Sequence, residues 1–86
     1  MKYISISQAT KKAVSFALKK FDVFEFVSME VLSAYRDADA PTGKYENVTF
    51  SFVFCNRPRH IYGDLQGKFI TVYPDGTALI TGKFDA

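Results

Sequence analysis

The chain has 86 residues, of which 48% are apolar and 23% are charged, a balance typical of a globular protein rather than a disordered one. This is the length of one small domain, so we expect residues 1–86 to fold as a single unit. Eleven Lys and Arg against nine Asp and Glu leave a net charge of +2, which is too small a surplus to identify a dedicated nucleic-acid binder.

The cysteine count and the N-terminal sequence predict a cytoplasmic protein. Cys55 is the single cysteine and cannot form an internal disulfide, and the first residues lack the apolar segment and cleavage site of a secretory signal. No stretch has the roughly 18 apolar residues needed to span a bilayer. Nine Phe and five Tyr are many rings for so small an interior. We expect them to pack inside, and a surface cluster of them would mark a partner site or a homodimer contact.

Residues 7–21 are predicted to form a helix, after a short strand or lead-in at residues 3–6. Ser5 and Gln8 have the spacing of a capping box, with Ser7 as a competing cap. Apolar residues recur at intervals of three and four and define one face: Ala13, Val14, Ala17, Leu18 and Phe21. The opposite face is basic and carries Lys11, Lys12, Lys19 and Lys20.

A second helix is predicted after a brief strand or extended link at residues 22–27. Ser28 would cap it, and Glu30 would lie in its first turn, where the helix dipole favours an anion. Its inward stripe would consist of Met29, Leu32 and Tyr35. Loop-forming residues at 37–43 would end this helix near Asp37 and divide a helical first half from a β second half.

The second half has strand patterns. Residues 48–54 alternate strictly between apolar and small polar side chains, which predicts a strand with one buried face. A turn at 56–59 precedes a weaker strand pattern at 60–65. Strands at 68–73 and 77–83 are joined by Pro74-Asp75-Gly76, a sequence typical of a type I turn followed by a bulge.

Together these elements predict an α+β fold, with two N-terminal helices packed on a C-terminal three- or four-stranded antiparallel meander. The order of elements is also that of a winged helix, whose recognition helix would occupy residues 45–56. As a helix, this stretch would carry apolar side chains on nearly all sides, which does not suit an element that faces DNA. The winged helix is therefore the alternative.

No catalytic, metal-binding or cofactor-binding pattern is recognisable, so we predict a non-enzymatic protein without a cofactor. One His and one Cys are too few for a structural zinc site, and Cys55 is expected to be a small buried hydrophobe. A nucleophile pair of Cys55 and His60 is disfavoured, because His60 lies in a proline-containing turn beside two arginines. Residues 63–68 lack the glycine spacing and the hydroxyl residue of a P-loop.

The remaining candidate site is basic. Its members lie on the turn after residue 55 and along the first helix: Arg57, Arg59, His60, Lys11, Lys12, Lys19 and Lys20. Guanidinium groups grip phosphate through paired N–H donors, and lysines along a helix can follow a phosphate backbone. The sequence favours a small nucleic-acid-binding accessory or regulator. The alternative is a compact protein-binding module or inhibitor, such as a host-directed factor of a phage or mobile element, that acts through exposed aromatics or a free sheet edge.

Overall fold

The computed structural model describes residues 2–57 and 65–85. The elements follow in the order helix α1 (Ile6–Lys20) and strands β1 (Glu25–Tyr35), β2 (Asn47–Cys55), β3 (Leu65–Val72) and β4 (Ala78–Asp85). Neighbouring strands are antiparallel, and their order in the sheet is their order in the chain. The class is therefore α+β, with one helix in the described residues and a four-stranded antiparallel meander.

α1 begins at the predicted capping box. The backbone N–H of Gln8 donates to Ser5 Oγ at 3.2 Å, and the backbone N–H of Ser5 donates to Gln8 Oε1 at 3.1 Å. Ser5 rather than Ser7 is therefore the cap, and two backbone donors at the helix start are satisfied. α1 has 15 residues, and no helix in the described part of the chain has the length and apolar character needed to cross a membrane.

The prediction of a second helix is wrong, because residues 25–35 form β1. The strand pairs with β2 from Glu25, opposite Cys55, to Tyr35, opposite Asn47. Ser28 is consequently no helix cap, and Glu30 lies within a strand rather than in a helix's first turn. The β-branched and aromatic residues of this segment favour the strand, and pairing with β2 satisfies its backbone groups on one side.

The winged-helix alternative is also wrong, since most of residues 45–56 form β2. The strict alternation predicted this strand correctly, and it buries Val48, Phe50, Phe52 and Phe54 on one face. Residues 36–46 link β1 to β2 in the sheet. The division between helical and β parts therefore falls at residues 21–24, before β1, and not at residues 37–43.

The predicted hairpin of β3 and β4 is confirmed. In its turn the backbone N–H of Gly76 donates to the carbonyl of Tyr73 at 2.9 Å, and Gly76 has a φ of 89°, which glycine adopts without steric cost. β3 begins at Leu65, earlier than predicted. The rest of the predicted strand at 60–65 lies outside the described residues.

The core lies between α1 and one face of the sheet, which we call the helix-side face. α1 packs mainly against β2, β3 and β4 and presents three fully buried alanines, Ala9, Ala13 and Ala17. The sheet contributes Val48, Phe50, Phe52, Phe54, Ile70 and Val72. Phe21, directly after the helix, stacks on Phe54 with ring centroids 5.0 Å apart. The small alanines allow the helix to lie close to the large rings of β2.

The outer face of the sheet is held by two side-chain groups. The hydroxyls of Thr49, Thr71 and Thr81 form a hydrogen-bonded row across β2, β3 and β4, at 2.8 and 3.0 Å. Phe69 and Phe84 stack with centroids 4.8 Å apart. The Phe84 ring covers Gly67 so closely that a Cβ there would lie 2.6 Å from Phe84 Cε2.

Candidate binding surfaces on the two sides of the helix

Two grooves of about 220 Å³ each run along the sides of α1. The apolar groove, on the β1 side, is lined by Val14, Phe26, Val27, Ser28, Met29 and Phe52. The basic groove, on the β4 side, is lined by Lys12, Ser15, Phe16, Lys19, Gly76 and Ala78. Successive helix residues are about 100° apart, so Val14 and Lys12 project to opposite sides of the buried Ala13. The helix therefore separates an apolar surface from a basic one.

The apolar groove continues into a wider exposed surface on β1. In this eleven-residue strand Met29 and Ala34 are half-buried, and the other nine residues are exposed. Val31 lies opposite the core residue Phe50, which places it on the helix-side face, and its neighbour Leu32 is 58% exposed. We call this set the β1 surface: Val14, Leu18, Phe26, Val27, Met29, Val31 and Leu32. Phe24 and Tyr35 extend the exposed apolar area to the two ends of the strand.

The exposure of Leu18 differs from the prediction. The buried residues of α1 are Ala9, Ala13 and Ala17. The apolar face predicted for this helix consists instead of Ala13, Val14, Ala17, Leu18 and Phe21. The helix is thus rotated toward its alanines, which leaves Val14 half-buried and Leu18 57% exposed. The apolar arc of the helix is wider than the part that the sheet covers, and the uncovered part faces β1.

Two of the predicted basic residues lie together in the basic groove. Lys12 reaches the β3–β4 turn, where a Cβ on Gly76 would lie 3.6 Å from Lys12 Cε. Lys19 lines the same groove, whereas Lys11 is exposed on the side of α1 away from the sheet. Lys20 lies instead in a hollow of about 220 Å³ at the end of the helix, together with Lys68.

The structure adds two lysines that no sequence pattern indicated. Lys68 and Lys83 lie directly opposite each other on β3 and β4, and Lys68 pairs with Phe52 of β2, which places both lysines on the helix-side face. The strand register brings them beside the end of α1, and their spacing along the chain carries no signal of this.

Arg57 is not brought to the basic groove. Arg57 is exposed just after β2, at the end of the sheet where α1 ends. Lys12 lies at the opposite end, beside the β3–β4 turn. Arg59 and His60 lie outside the described residues. The described members of the predicted site therefore divide between two ends of the sheet.

A carboxyl pair in the β1–β2 connection was also missed. A hydrogen bond between the Asp37 and Glu46 side chains lowers the pKa of Asp37 and raises the pKa of Glu46. The Tyr3 hydroxyl donates to Asp37 Oδ1 at 3.3 Å. The two carboxyls are nine residues apart in an irregular loop, so no periodic pattern could have indicated their contact.

The described residues offer little redox or metal chemistry. Cys55 is fully buried, as predicted for a small apolar residue. Within residues 2–57 and 65–85, no group of three or more His, Cys, Asp and Glu side chains could hold a metal ion.

Comparisons of the chain with protein-family models, curated proteins and solved structures found no match. A function for this chain therefore has to be inferred from its own residues and surfaces.

Proposed function

We propose that the protein is a small binding protein that docks a protein partner through the β1 surface. The supporting observation is the row of large apolar side chains left exposed along an edge strand and the adjoining flank of α1. These side chains expose an apolar area on the order of several hundred Å², and the largest apolar patch of a single chain, which has this size, is often functional. None of the described elements covers these side chains.

The edge position of β1 adds a second means of binding. Among the described residues β1 has one sheet neighbour, β2, so within residues 2–57 and 65–85 its other edge presents unpaired backbone N–H and C=O groups. At about 3.3 Å per residue, eleven residues offer an edge of roughly 36 Å. A partner can add a strand there while its side chains fill the apolar groove, a recurrent mode of protein recognition.

Site-specific photocrosslinking tests this proposal. The photoreactive residue p-benzoylphenylalanine replaces either Leu32, on β1, or Leu79, on the other edge strand, which is 49% exposed. We expect the probe at position 32 to give a single crosslinked protein product in cells, and the probe at position 79 to give none. Equal crosslinking from both positions, or none from position 32, would contradict a docking role for the β1 surface.

A second candidate function is contact with nucleic-acid phosphates on the other side of α1. Supporting it are the lysines along the basic groove and the helix end: Lys12, Lys19, Lys20, Lys68 and Lys83. Within residues 2–57 and 65–85 none of them has an ion pair. Lysines that release counterions from a phosphate backbone bind it in a salt-dependent way.

Fluorescence anisotropy with labelled duplex and single-stranded probes tests the second candidate. We expect binding at low salt that weakens steeply as salt is added. Lys12→Glu and Lys19→Glu should each make the salt dependence shallower, by about one unit of slope for every phosphate that the variant no longer neutralises. Lys11→Glu, on the solvent side of the same helix, is the matched control. The absence of binding at low salt would reject this candidate and leave the first unaffected.

A further inference from the structure

β1 lacks most of the features that prevent an edge strand from pairing with a strand of another chain. Edge strands are usually short or carry lysine, proline or inward-pointing charges, which disfavour pairing with another chain. β1 has eleven residues and contains no Lys, Arg or Pro. Its protective features are two bulges, where Val27 and Leu32 are extra residues relative to β2, and two glutamates, Glu25 and Glu30.

The sequence of β1 is complementary to itself in one antiparallel register. Two copies of an edge strand can pair about a two-fold axis perpendicular to the sheet, which places both helices on the same face. With the axis at Met29, Val27 lies opposite Val31 of the second copy, and Phe26 lies opposite Leu32 of the second copy. Each glutamate then meets a serine, since Glu30 faces Ser28 and Glu25 faces Ser33 of the second copy. Apolar cross-strand pairs of this kind stabilise a sheet.

The neighbouring register is much less favourable. An axis at Glu30 would place the two Glu30 side chains directly opposite each other, and like charges in that position are destabilising. It would also place Leu32 opposite Ser28 and Val27 opposite Ser33. In the Met29 register the first bulged stretch, 26–28, also lies opposite residues 30–32 of the second copy, which overlap its second bulged stretch, 31–33. The bulges therefore bend both strands alike in this register.

The size and charge of the surface suit a second copy. A stable interface buries about 800 Å² on each partner. The β1 surface offers an edge of roughly 36 Å and an adjoining apolar area on the order of several hundred Å² toward that total. No residue of the β1 surface is charged, so two identical surfaces meet without like-charge repulsion. The single chain is also extended, with a radius of gyration of 13.9 Å against about 12 Å for a compact chain of this length.

We infer that the partner docked by the β1 surface is a second copy of this chain, joined through β1 in the Met29 register to give a continuous eight-stranded sheet. This inference rests on the proposed docking function and names the partner. The two apolar grooves then lie side by side between the two copies of α1.

Sedimentation equilibrium of the purified full chain over a range of concentrations tests the inference. We expect a dimer for the native chain, a monomer for Leu32→Glu and a dimer for Leu79→Glu, a matched change on the other edge strand. Thermal unfolding of each variant shows whether it is folded. A native chain that stays monomeric at about 100 μM, or a dimer that persists in folded Leu32→Glu, would overturn the inference.

A second pair of variants tests the register and does not depend on Leu32. In the Met29 register Ser28 faces Glu30 of the second copy, so Ser28→Lys should tighten the dimer and Ser28→Glu should weaken it. Because the contact occurs twice in a symmetric dimer, we expect the two dissociation constants to differ by roughly tenfold. Equal dissociation constants would overturn this register.

The photocrosslinking result separates the two proposals. A crosslinked product at twice the 9.7 kDa chain mass supports both. A product of another mass from position 32, with a monomeric purified chain, would overturn the second-copy inference and leave the docking function in place.

Discussion

β1 and β4 are the two edge strands of the sheet that the described residues form, but their surroundings differ. β4 has eight residues, contacts α1, carries Lys83 and Asp85, and contributes Phe84 to a ring stack on the outer face. β1 has eleven residues, lies beyond the main contacts of the helix, and exposes apolar side chains on the helix-side face. Each strand carries two charged residues, which on β1 are Glu25 and Glu30, so charge does not distinguish them. The difference shows that contact with neighbouring elements protects β4 and is largely lacking on β1.

The largest expected effect comes from the ring that joins β1 to the core. Phe52 is buried, and its ring lies 4.9 Å from that of Phe26 on β1 and 6.0 Å from that of Phe21. We expect Phe52→Ala to lower the free energy of unfolding by about 3–5 kcal/mol, because it leaves a cavity beneath α1 and removes the packing against β1. Denaturant unfolding measures the decrease. Phe84→Ala, on the half-buried outer face, is the control and should lower the free energy of unfolding by less. An equal decrease for both variants would contradict the greater importance of the helix-side face.

A substitution at Gly67 should have a smaller effect on stability, and it should destabilise β4 rather than β1. Gly67→Val puts a side chain where the Phe84 ring lies, since a Cβ at this position would be 2.6 Å from that ring. We expect the free energy of unfolding to fall by about 1–3 kcal/mol from overpacking, with faster amide hydrogen exchange in β4 than in β1.

A double-mutant cycle checks the cause of that destabilisation. In a Phe84→Ala background the Gly67→Val change should cost nothing, because the clash has been removed. An unchanged cost in that background would show that the ring is not responsible.

A substitution in the threonine row should have a still smaller effect on stability and should affect the two edge strands differently. Thr71 is buried, and its hydroxyl bonds to those of Thr49 and Thr81, with no residue of β1 involved. We expect Thr71→Val to lower stability by about 1 kcal/mol, since its hydrogen-bonded partners lose a shared hydroxyl. Amide exchange should quicken in β4 and stay unchanged in β1. Equal quickening in both strands would contradict the assignment of the row to the β4 side.

The smallest effect concerns pH at the loop end of β1. The lowered pKa of Asp37 contributes stability that is lost as the pH falls through it, below 3.8. The raised pKa of Glu46 contributes stability that is lost as the pH rises through it, above 4.5. The pair should therefore hold residues 36–46 most firmly near about pH 4, and Glu46→Gln should remove the destabilisation at higher pH. NMR titration of both carboxyls measures this, and two independent titrations at ordinary pKa values would contradict it.

Local patterns predicted several elements correctly. The capping box at Ser5, the alternation of residues 48–54 and the Pro-Asp-Gly turn each depend on neighbouring residues, so each was readable from the sequence. β1 was mistaken for a helix because its two bulges interrupt the alternation. With Val27 and Leu32 as extra residues, the apolar positions fall at intervals that also fit a helical face.

The candidate surfaces were predictable only in part. Lys12 and Lys19 share one side of a helix, which spacing alone establishes. Lys68 and Lys83 meet through strand register, and the exposure of Leu18 depends on which arc of α1 meets the sheet. Both are consequences of tertiary packing, which no local pattern determines.

The alanine stripe of α1 affects the order in which the elements of the fold unfold. Ala9, Ala13 and Ala17 lose no side-chain entropy on burial, but each removes little apolar area from water. The larger side chains that α1 packs against the core, Ile6 and Phe16, are only half-buried. The sheet is held by large rings and by three ladders of backbone hydrogen bonds. α1 should therefore detach as a unit at a lower free energy than that needed to open β2 and β3, and its amides should exchange before the hydrogen-bonded amides of those two strands.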